Sequence, residues 1–334
     1  MLTKKQNFLE TLRGGKPDRF VNQFEYMELF LDPIHDHCGG FCDVGGTKVN
    51  DWGVKVFWPV GEPGPFPMCE GENKVIKDIT KWREVLEPIV PDPSKYPEQE
   101  WDAILAEVEK VDRNDKFVSP WFVTGVFERL HYLMGVEDAM INMYTEPEAM
   151  HDLIDFIVDW QIEVAKEEKR RYAPDALFQH DDWGSQTRLM MSPEMFREFI
   201  KPAYEKIYGF WKKENGAQII VHHSDSYAAD LVPDMIDMGI DVFQGAVLVN
   251  NIPALTEKYA GKILIQGGLD NGKFDRPDWT KEKITAGLED IIAKTNGGKG
   301  LIPAFTMGGP GTTFDGAYDW ATEEIDRLSK VYFK

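Results

Sequence analysis

Cysteine is scarce in this sequence of 334 residues: there are three, Cys38, Cys42 and Cys69. So few, and an odd number, do not make the disulfide framework that is typical of small secreted proteins. The sequence also lacks any stretch near the roughly 20 apolar residues that a membrane-spanning helix needs. Residues 1–4 lead directly into a polar helical pattern, without the basic and apolar segments of a signal peptide. These absences predict a cytoplasmic location and no membrane insertion.

Positive charge is in short supply as well. Lysine and arginine number 37 against 57 aspartates and glutamates, which gives a formal charge of -20. An acidic surface repels phosphate groups, so it has no electrostatic attraction for nucleic acid or for an anionic membrane. The composition therefore argues against both as partners. The sequence leaves the oligomeric state open, a homodimer included.

The common sequence signatures of catalysis and nucleotide binding are missing. There is no G-x-S-x-G, P-loop or H-E-x-x-H pattern. The nearest match to a phosphate-binding turn is Gly308-Gly309-Pro310-Gly311, which follows a predicted strand. Its proline, and the lack of an apolar helix directly after it, make it a poor dinucleotide fingerprint. A doubly wound sheet is therefore the less favoured of two α/β architectures.

Apolar residues are plentiful, at 43% of the chain, with 20 Phe, 10 Trp and 11 Tyr. A chain of this length can bury a large core, and α/β barrels of this size form one domain with insertions. We predict a single domain over residues 1–334. Residues 32–97 are irregular and rich in Gly, Pro and Trp, which predicts a long N-terminal insertion over the barrel mouth.

Strand and helix patterns alternate along the rest of the chain. The predicted strands are nearly continuous apolar runs, as in a parallel sheet that is covered on both faces. They are Phe20–Tyr26, Phe117–Val126, Ala176–Gln179, Gln218–Val221, Asp241–Phe243, Lys262–Gln266 and Gly300–Ala304. This alternation predicts an α/β fold, a (β/α)8 TIM-type barrel.

Polar side chains follow three of these strands at their carboxyl ends, where the loops of a parallel barrel converge on one mouth. The three loops begin at His180, at His222 and at Gln266. Within them we predict a set of substrate-binding residues: His180, Asp181, Trp183, Gln186 and Gln266.

Two adjacent carboxylates, Asp181 and Asp182, stand in the first of these loops. Such a pair can accept hydrogen bonds from a substrate, hold a cation, or raise one another's pKa so that one becomes a usable acid. The alternative is that one of them caps the following helix, although Ser192 already stands where that helix starts. We predict a catalytic role for Asp182.

His223 and Asp225 form an H-x-D pair after an apolar strand. In extended backbone this spacing places both side chains on one face, and imidazole and carboxylate both ligate zinc. We predict that His223 is catalytic and that His223 and Asp225 are metal ligands. A histidine satisfied within the core is the alternative.

Two further groups are less specific. Glu25 ends the predicted first strand, so we expect it at the same mouth as a catalytic base or ligand, with a core salt bridge as the alternative. The run from His35 to Cys38, with Cys42, has the composition of a metal site. Its spacing matches no standard zinc pattern, and a flexible loop explains it equally well.

At these same segments the chain resembles the uroporphyrinogen decarboxylase superfamily, and within it the corrinoid-linked methyltransferase branch. The matching stretches are Lys4–Arg19, Asp181–Ile200, His223–Gly245 and Lys262–Leu269. The resemblance spans nearly the whole chain. It implies a (β/α)8 barrel with the active site at its mouth.

The sequence departs from the family patterns in two places. Uroporphyrinogen decarboxylases grip the carboxylates of their substrate with N-terminal arginines, whereas Asn22–Tyr26 is acidic here and has none. The methyltransferase branch often binds zinc with His-x-Cys and a later cysteine. Here the first motif is His223-Ser224-Asp225, and Pro303–Gly311 contains no cysteine. A bound zinc would have N and O ligands, which suits a Lewis acid that polarises an ether oxygen.

The resemblance implies an O-demethylase-like methyltransferase. It would move a methyl group from a small methoxylated or methylated compound to the cobalamin of a partner corrinoid protein, with zinc as cofactor. The aromatic segment Trp52–Met68 suits an aromatic donor, although packing alone explains it equally. Two other hypotheses stay open: a decarboxylase or other lyase that acts on a small carboxylic acid without metal, and a binding protein without catalysis.

Overall fold

The structure, a computed structural model, describes residues 1–62, 64–308 and 312–333. Its strands, in chain order, are β1 (Met27–Phe30), β2 (Thr47–Val49), β3 (Lys55–Phe57), β4 (Phe66–Pro67), β5 (Phe117–Phe122), β6 (Ala176–His180), β7 (Ile219–His223), β8 (Val242–Ala246), β9 (Leu264–Leu269) and β10 (Leu301–Phe305). In the described ranges, seven of them form one parallel sheet in the order β1-β5-β6-β7-β8-β9-β10.

Helices connect these strands in the way that a parallel sheet requires. They are α1 (Lys4–Leu12), α2 (Pro33–Gly39), α3 (Trp82–Leu86), α4 (Glu98–Val108), α5 (Val126–Met134), α6 (Val136–Thr145), α7 (Pro147–Tyr172), α8 (Pro193–Met195), α9 (Lys201–Phe210), α10 (Val232–Asp237), α11 (Ile252–Tyr259), α12 (Asn271–Phe274), α13 (Lys281–Lys294) and α14 (Ala317–Tyr332). Of the helices in the described part of the chain, none has both the length and the apolar character needed to cross a bilayer.

The parallel sheet curls around an apolar interior. Met27 of β1 and Ile302 of β10 lie at opposite edges of the sheet, yet they belong to one buried cluster with side chains of the strands between them. A flat sheet would keep these two edges apart. The predicted α/β fold with a (β/α)8 TIM-type barrel is confirmed, and its paired strands number seven within the described residues.

The segment before β1 fills the space between the two edges. The side-chain oxygen of Gln23 accepts a hydrogen bond from the backbone of Phe305 in β10, and its carbonyl accepts one from Gln266 in β9. Gln23 has a φ of 52°, which interrupts extended backbone. The predicted strand Phe20–Tyr26 is therefore wrong, because the first strand begins at Met27.

The insertion between β1 and β5 carries a small antiparallel sheet, in the order β2-β3-β4. Trp52, between β2 and β3, is fully buried and lies edge-on to Trp160 of α7, with ring centroids 5.0 Å apart. The guanidinium of Arg129 in α5 lies 4.9 Å from the Trp52 ring. The insertion is thus packed onto α5 and α7. The aromatic ring of Trp52 contributes to this packing.

The helix that begins with α8 and continues through α9 shows how local sequence sets an element's ends. Ser192 caps its start by accepting a hydrogen bond from the backbone of Met195, and Gly216 ends it with a φ of 85°. Between them α8 and α9 are continued by two π-helical turns, Phe196–Ile200 and Trp211–Asn215. The glycine-rich turn considered for phosphate binding includes residues 309–311, which lie outside the described residues.

Candidate functional site

Neighbouring strands β6 and β7 bring two of the predicted polar loops together. Their register pairs Gln179 with His222 and His180 with His223. Because side chains alternate along a strand, His180 and His223 share the face opposite to that of His222. His222 contacts Tyr208 of α9, so His180 and His223 face the barrel interior at its mouth.

His180 forms a hydrogen-bonded ion pair with Glu128, at the start of α5. Its Nδ1 lies 2.8 Å from Oε2 of Glu128. Burial disfavours an imidazolium, but the Glu128 carboxylate outweighs it and raises the pKa of His180 to about 10. The His180 side chain is 26% exposed. The site therefore holds a protonated, partly accessible imidazole at neutral pH.

His223 has the opposite environment. Its Nδ1 is hydrogen-bonded to Oε1 of Gln244 in β8, the strand that pairs with β7 on its other side. Burial, and next the positive charge of His180, lower the pKa of His223 to about 4. His223 is therefore neutral at neutral pH, and a neutral imidazole is the form that ligates a metal ion.

Asp182 and Asp225 complete the group at the mouth, and both are partly exposed. Burial raises the pKa of Asp182 to about 6, although His180 pulls it down. Burial and the charge of Asp182 raise the pKa of Asp225 to about 6. The two carboxyls thus repel one another when both are ionised, and a cation or a shared proton would relieve this repulsion.

We name Glu128, His180, Asp182, His223 and Asp225 the mouth cluster. It offers two sets of three metal-ligating atoms, and the atoms of each set lie within 4.8 Å of one another. One set comes from Glu128, His180 and Asp182, and the other comes from Asp182, His223 and Asp225. Asp182 is common to both sets, and its Oδ1 is buried without a hydrogen-bond partner. The charged groups that act most strongly on His180, Asp182, His223 and Asp225 are carboxyls and imidazoles.

Asp181, which the sequence predicts to bind substrate, holds the start of α5. It is fully buried. Its carboxylate accepts hydrogen bonds from four donors: the backbone N–H groups of Phe127 and Glu128, Nε1 of Trp183 and the hydroxyl of Tyr204. Asp181 thus fixes the backbone of Glu128, and Glu128 is the partner of His180. In this way Asp181 helps to position the mouth cluster.

Trp183 was also predicted to bind substrate, and it too is fully buried. Its ring stacks on His222, with centroids 3.8 Å apart. His222 is held by Tyr208, 2.8 Å away, and by the backbone carbonyl of Asp181, 3.1 Å away. The structure thus places Trp183 in the support beneath the site.

The other predicted residues lie in different surroundings. Gln186 is exposed on the loop after β6 and donates to the backbone carbonyl of Asp225. Gln266 is fully buried and accepts a hydrogen bond from the hydroxyl of Tyr26, 2.8 Å away. Glu25 precedes β1, so the prediction that it ends the first strand is wrong. It lies 3.8 Å from Arg19, the salt bridge that was its alternative.

The histidines and cysteine of the run from His35 to Cys38 do not converge on one point. His35, His37 and Cys38 all belong to α2. His35 contacts Glu168, His37 contacts Glu100, and Cys38 contacts Tyr96. All three cysteines are free thiols.

Two residues of the site, Glu128 and Gln244, were not predicted from the sequence. Glu128 lies two positions after the predicted strand Phe117–Val126, and a carboxylate there is equally typical of the first turn of a helix. Gln244 lies within an apolar strand, and only the register of β8 against β7 places it beside His223. The signal that could have found it is a polar residue inside an otherwise buried strand.

Comparison with known proteins supports the fold and the family. The family model described as "Uroporphyrinogen decarboxylase (URO-D)" matches residues 68–314. A solved structure described as a methyltransferase from Methanosarcina mazei superimposes with a TM-score of 0.67 and 15% sequence identity. The alignment covers 98% of this chain and 99% of that one, so the two share a fold over their whole length.

Two other comparisons add nothing further. An alpha-amylase from Geobacillus thermoleovorans aligns at a TM-score of 0.41 and 9% identity, over 69% of this chain and 61% of its own. A similarity this low indicates neither a shared fold nor a shared function. The search of curated proteins found no match.

Proposed function

The chain belongs to the uroporphyrinogen decarboxylase family, and on that premise we propose that it is a methyltransferase. It moves a methyl group from a small methoxylated or methylated compound, aromatic methyl ethers included, to the cob(I)alamin of a separate corrinoid protein. The observation that carries this proposal is the set Asp182, His223 and Asp225, whose ligand atoms lie within 4.8 Å of one another at the barrel mouth.

The mouth cluster fits a zinc ion. His223 is neutral, Asp182 and Asp225 supply carboxylates, and Oδ1 of Asp182 is buried without a partner. An ion held by these three residues would relieve the repulsion between the two carboxylates. Bound there, zinc would supply a Lewis acid for the oxygen or nitrogen that carries the methyl group.

The chain's own residues have two tasks in this reaction. The methyl carbon forms a bond to cobalt with the electron pair of cob(I)alamin, and its bond to the donor oxygen or nitrogen breaks. The departing atom keeps the electron pair of that bond, and it needs a proton when the donor is a neutral ether or amine. His180 holds a proton beside the cluster, paired with Glu128 at 2.8 Å, and is partly exposed. It is therefore placed to donate that proton.

The charges of the site favour this reaction over porphyrinogen decarboxylation. A porphyrinogen carries several carboxylates and needs several cations to hold them. The mouth cluster contributes three carboxyls against two imidazoles, of which His180 alone is protonated at neutral pH. A neutral or cationic methyl donor meets no such mismatch.

The test is a methyl-transfer assay with cob(I)alamin and a panel of methoxylated arenes and methylated amines. Appearance of the methylated corrinoid spectrum with one donor class is the expected result. His223→Ala should lower the rate by about 100-fold or more, because it removes a ligand of the ion that would stabilise charge in the transition state. His151→Ala is the control, since His151 is a half-exposed histidine of α7, and its rate should stay at the wild-type value.

Two outcomes would count against the proposal. Tight binding of one compound without turnover of any would indicate a binding protein. Full activity of chelator-treated protein that contains no metal would overturn the role of Asp182, His223 and Asp225 as ligands.

A lyase that acts on a small carboxylic acid without metal is the second candidate. The observation in its favour is the protonated His180, a cation that could pair with a single substrate carboxylate. Release of carbon dioxide from a panel of small acids by metal-free protein, with loss of that activity in His180→Gln, would select it.

A further inference from the structure

A second group of ligating side chains lies outside the mouth cluster. Asp32 follows β1 and caps α2, His35 belongs to α2, and Glu168 belongs to α7. We name these three residues the buried triad, because each is fully buried. One ligating atom from each lies within 4.8 Å of the others. The buried triad shares no residue with the mouth cluster.

The two carboxyl groups of the buried triad lie close together, and hydrogen-bond donors do not reach all of their oxygen atoms. Oδ1 of Asp32 accepts from the backbone N–H of His35, and Oδ2 accepts from the hydroxyl of Tyr172. Glu168 has Oε1 at 2.8 Å from Nε2 of His35, while its Oε2 is buried with no donor. The Glu168 carboxyl also lies within hydrogen-bonding range of Asp32. Two buried carboxylates in this arrangement need a positive charge between them, either a shared proton or a metal ion.

The surroundings hold the ligands in the manner of a metal site. Residues around such a site commonly fix the ligands by hydrogen bonds from outside. Tyr172 and the backbone of His35 orient Asp32 in this way. The backbone carbonyl of Val123 acts on the His35 ring, although Nδ1 makes no hydrogen bond of good geometry. Phe122 lies against the same ring, with centroids 4.3 Å apart.

We propose that Asp32, His35 and Glu168 bind a divalent cation of the size and ligand preference of Zn²⁺. One imidazole and two carboxylates are a ligand set that zinc accepts, and the ion neutralises both carboxylates. It links α2, the first element of the insertion, to α7, the long helix that leads into β6. Its role is structural, because no ligand of the buried triad is exposed. The proposal does not depend on the methyltransferase reaction.

The test is metal analysis in a background that lacks both sets of mouth ligands. In the double variant His180→Ala/His223→Ala each of those sets loses its histidine. The protein is stripped with a chelator, loaded with excess Zn²⁺ and freed of unbound metal by gel filtration. We expect one zinc per chain in the double variant, and none when Glu168→Gln is added. Glu163→Gln, at an exposed position of the same helix, is the control and should keep the zinc.

The same proteins give an independent reading by thermal unfolding. A chelator should lower the melting temperature of the double variant and of the Glu163→Gln control, and leave that of the Glu168→Gln protein unchanged. Two results would overturn the proposal: a double variant that holds no zinc, and a Glu168→Gln protein that keeps its zinc. If the double variant holds no zinc, the two carboxyls of the buried triad share a proton.

Glu168→Gln at a fully buried position could yield insoluble protein. X-ray absorption at the zinc edge of the double variant then decides the question without that change. One imidazole with oxygen ligands and no sulfur is the expected coordination. A spectrum with sulfur, or with more than one imidazole, contradicts the assignment to Asp32, His35 and Glu168.

Discussion

The imidazole rings of His180 and His223 stack with their centroids 4.5 Å apart and their planes 16° apart, yet their pKa values are shifted in opposite directions. The difference comes from their partners. Glu128 is a carboxylate that favours the imidazolium of His180, whereas Gln244 is a neutral amide that leaves His223 to the effect of burial. Two stacked histidines thus have separate capacities, one to carry a proton and one to bind a metal.

Loss of the Glu128 carboxylate should reverse the state of His180. In Glu128→Gln the opposing charge disappears, and burial together with the remaining environment should bring the pKa of His180 down from about 10. At neutral pH a larger share of the ring is then neutral. A titration of the imidazole resonances by NMR measures this change.

The control for that titration is Glu137→Gln on α6, a residue outside the mouth cluster. It should leave the His180 resonance titrating as in the wild type. A His180 pKa that stays near 10 in Glu128→Gln would show that another group holds the proton.

Adjacent carboxylates Asp181 and Asp182 should give contrasting variants. In Asp181→Asn an amide NH2 group replaces one carboxylate oxygen and faces the donors that bond to that oxygen in the wild type. Each unsatisfied buried donor costs roughly 1–3 kcal/mol. We expect the free energy of unfolding to fall by about 2–4 kcal/mol. Urea denaturation measures it.

Asp182→Asn is the matched variant at the next position. Its partly exposed carboxyl belongs to the mouth cluster, so the variant should lose activity and the metal ion of the mouth cluster, while its unfolding midpoint stays close to that of the wild type. Equal destabilisation by the two substitutions would contradict the division between a supporting and a reactive carboxylate.

Asp234 on α10 should give a pH-dependent contribution to stability. Burial alone would raise its pKa, but hydrogen bonds from Arg197 and Lys201 outweigh burial and lower it. A carboxyl with a lowered pKa stabilises the fold above its unfolded pKa of about 3.9, and loses that contribution as the pH falls through the folded value. Asp234→Asn should cost about 1–2 kcal/mol at pH 7.

The measurement is the unfolding free energy of wild type and Asp234→Asn from pH 7 down to pH 3. The difference should be constant near neutrality and narrow below about pH 4. Asp237→Asn, an exposed residue of the same helix that contacts Lys201, should have a smaller effect. If the difference in unfolding free energy between the two proteins grew on acidification, the result would contradict a lowered pKa for Asp234.

Gly184 and Gly209 should respond to alanine in opposite ways. A Cβ at Gly184 would lie 2.0 Å from the backbone carbonyl oxygen of Tyr227, so the loops that carry Asp182 and Asp225 would have to separate. We expect Gly184→Ala to lower both stability and activity. In α9 a Cβ at Gly209 meets nothing within 4 Å, and Gly209→Ala should stabilise by roughly 0.5–1 kcal/mol. Thermal unfolding of both variants measures the contrast, and equal melting temperatures would contradict it.

Local sequence was sufficient for most elements and for part of the site. Apolar periodicity in Ile252–Tyr259 indicates the helix α11, and Pro147 lies at the start of α7, a place where proline is tolerated. The first strand was misplaced, because an apolar run of this length does not reveal the positive φ of Gln23. His180, Asp182, His223 and Asp225 were all found, since each follows an apolar strand and parallel strands end at one mouth.

Sequence by itself determined the class of fold and the loops on which the mouth cluster lies, because periodicity and strand ends are local properties of the chain. Only the tertiary structure decided which residue each of them meets. Glu128 reaches His180 across 52 positions of sequence, Gln244 reaches His223 across 21, and Glu168 reaches His35 across 133. Protonation and metal binding depend on such neighbours, because charge and burial act through space and not along the chain.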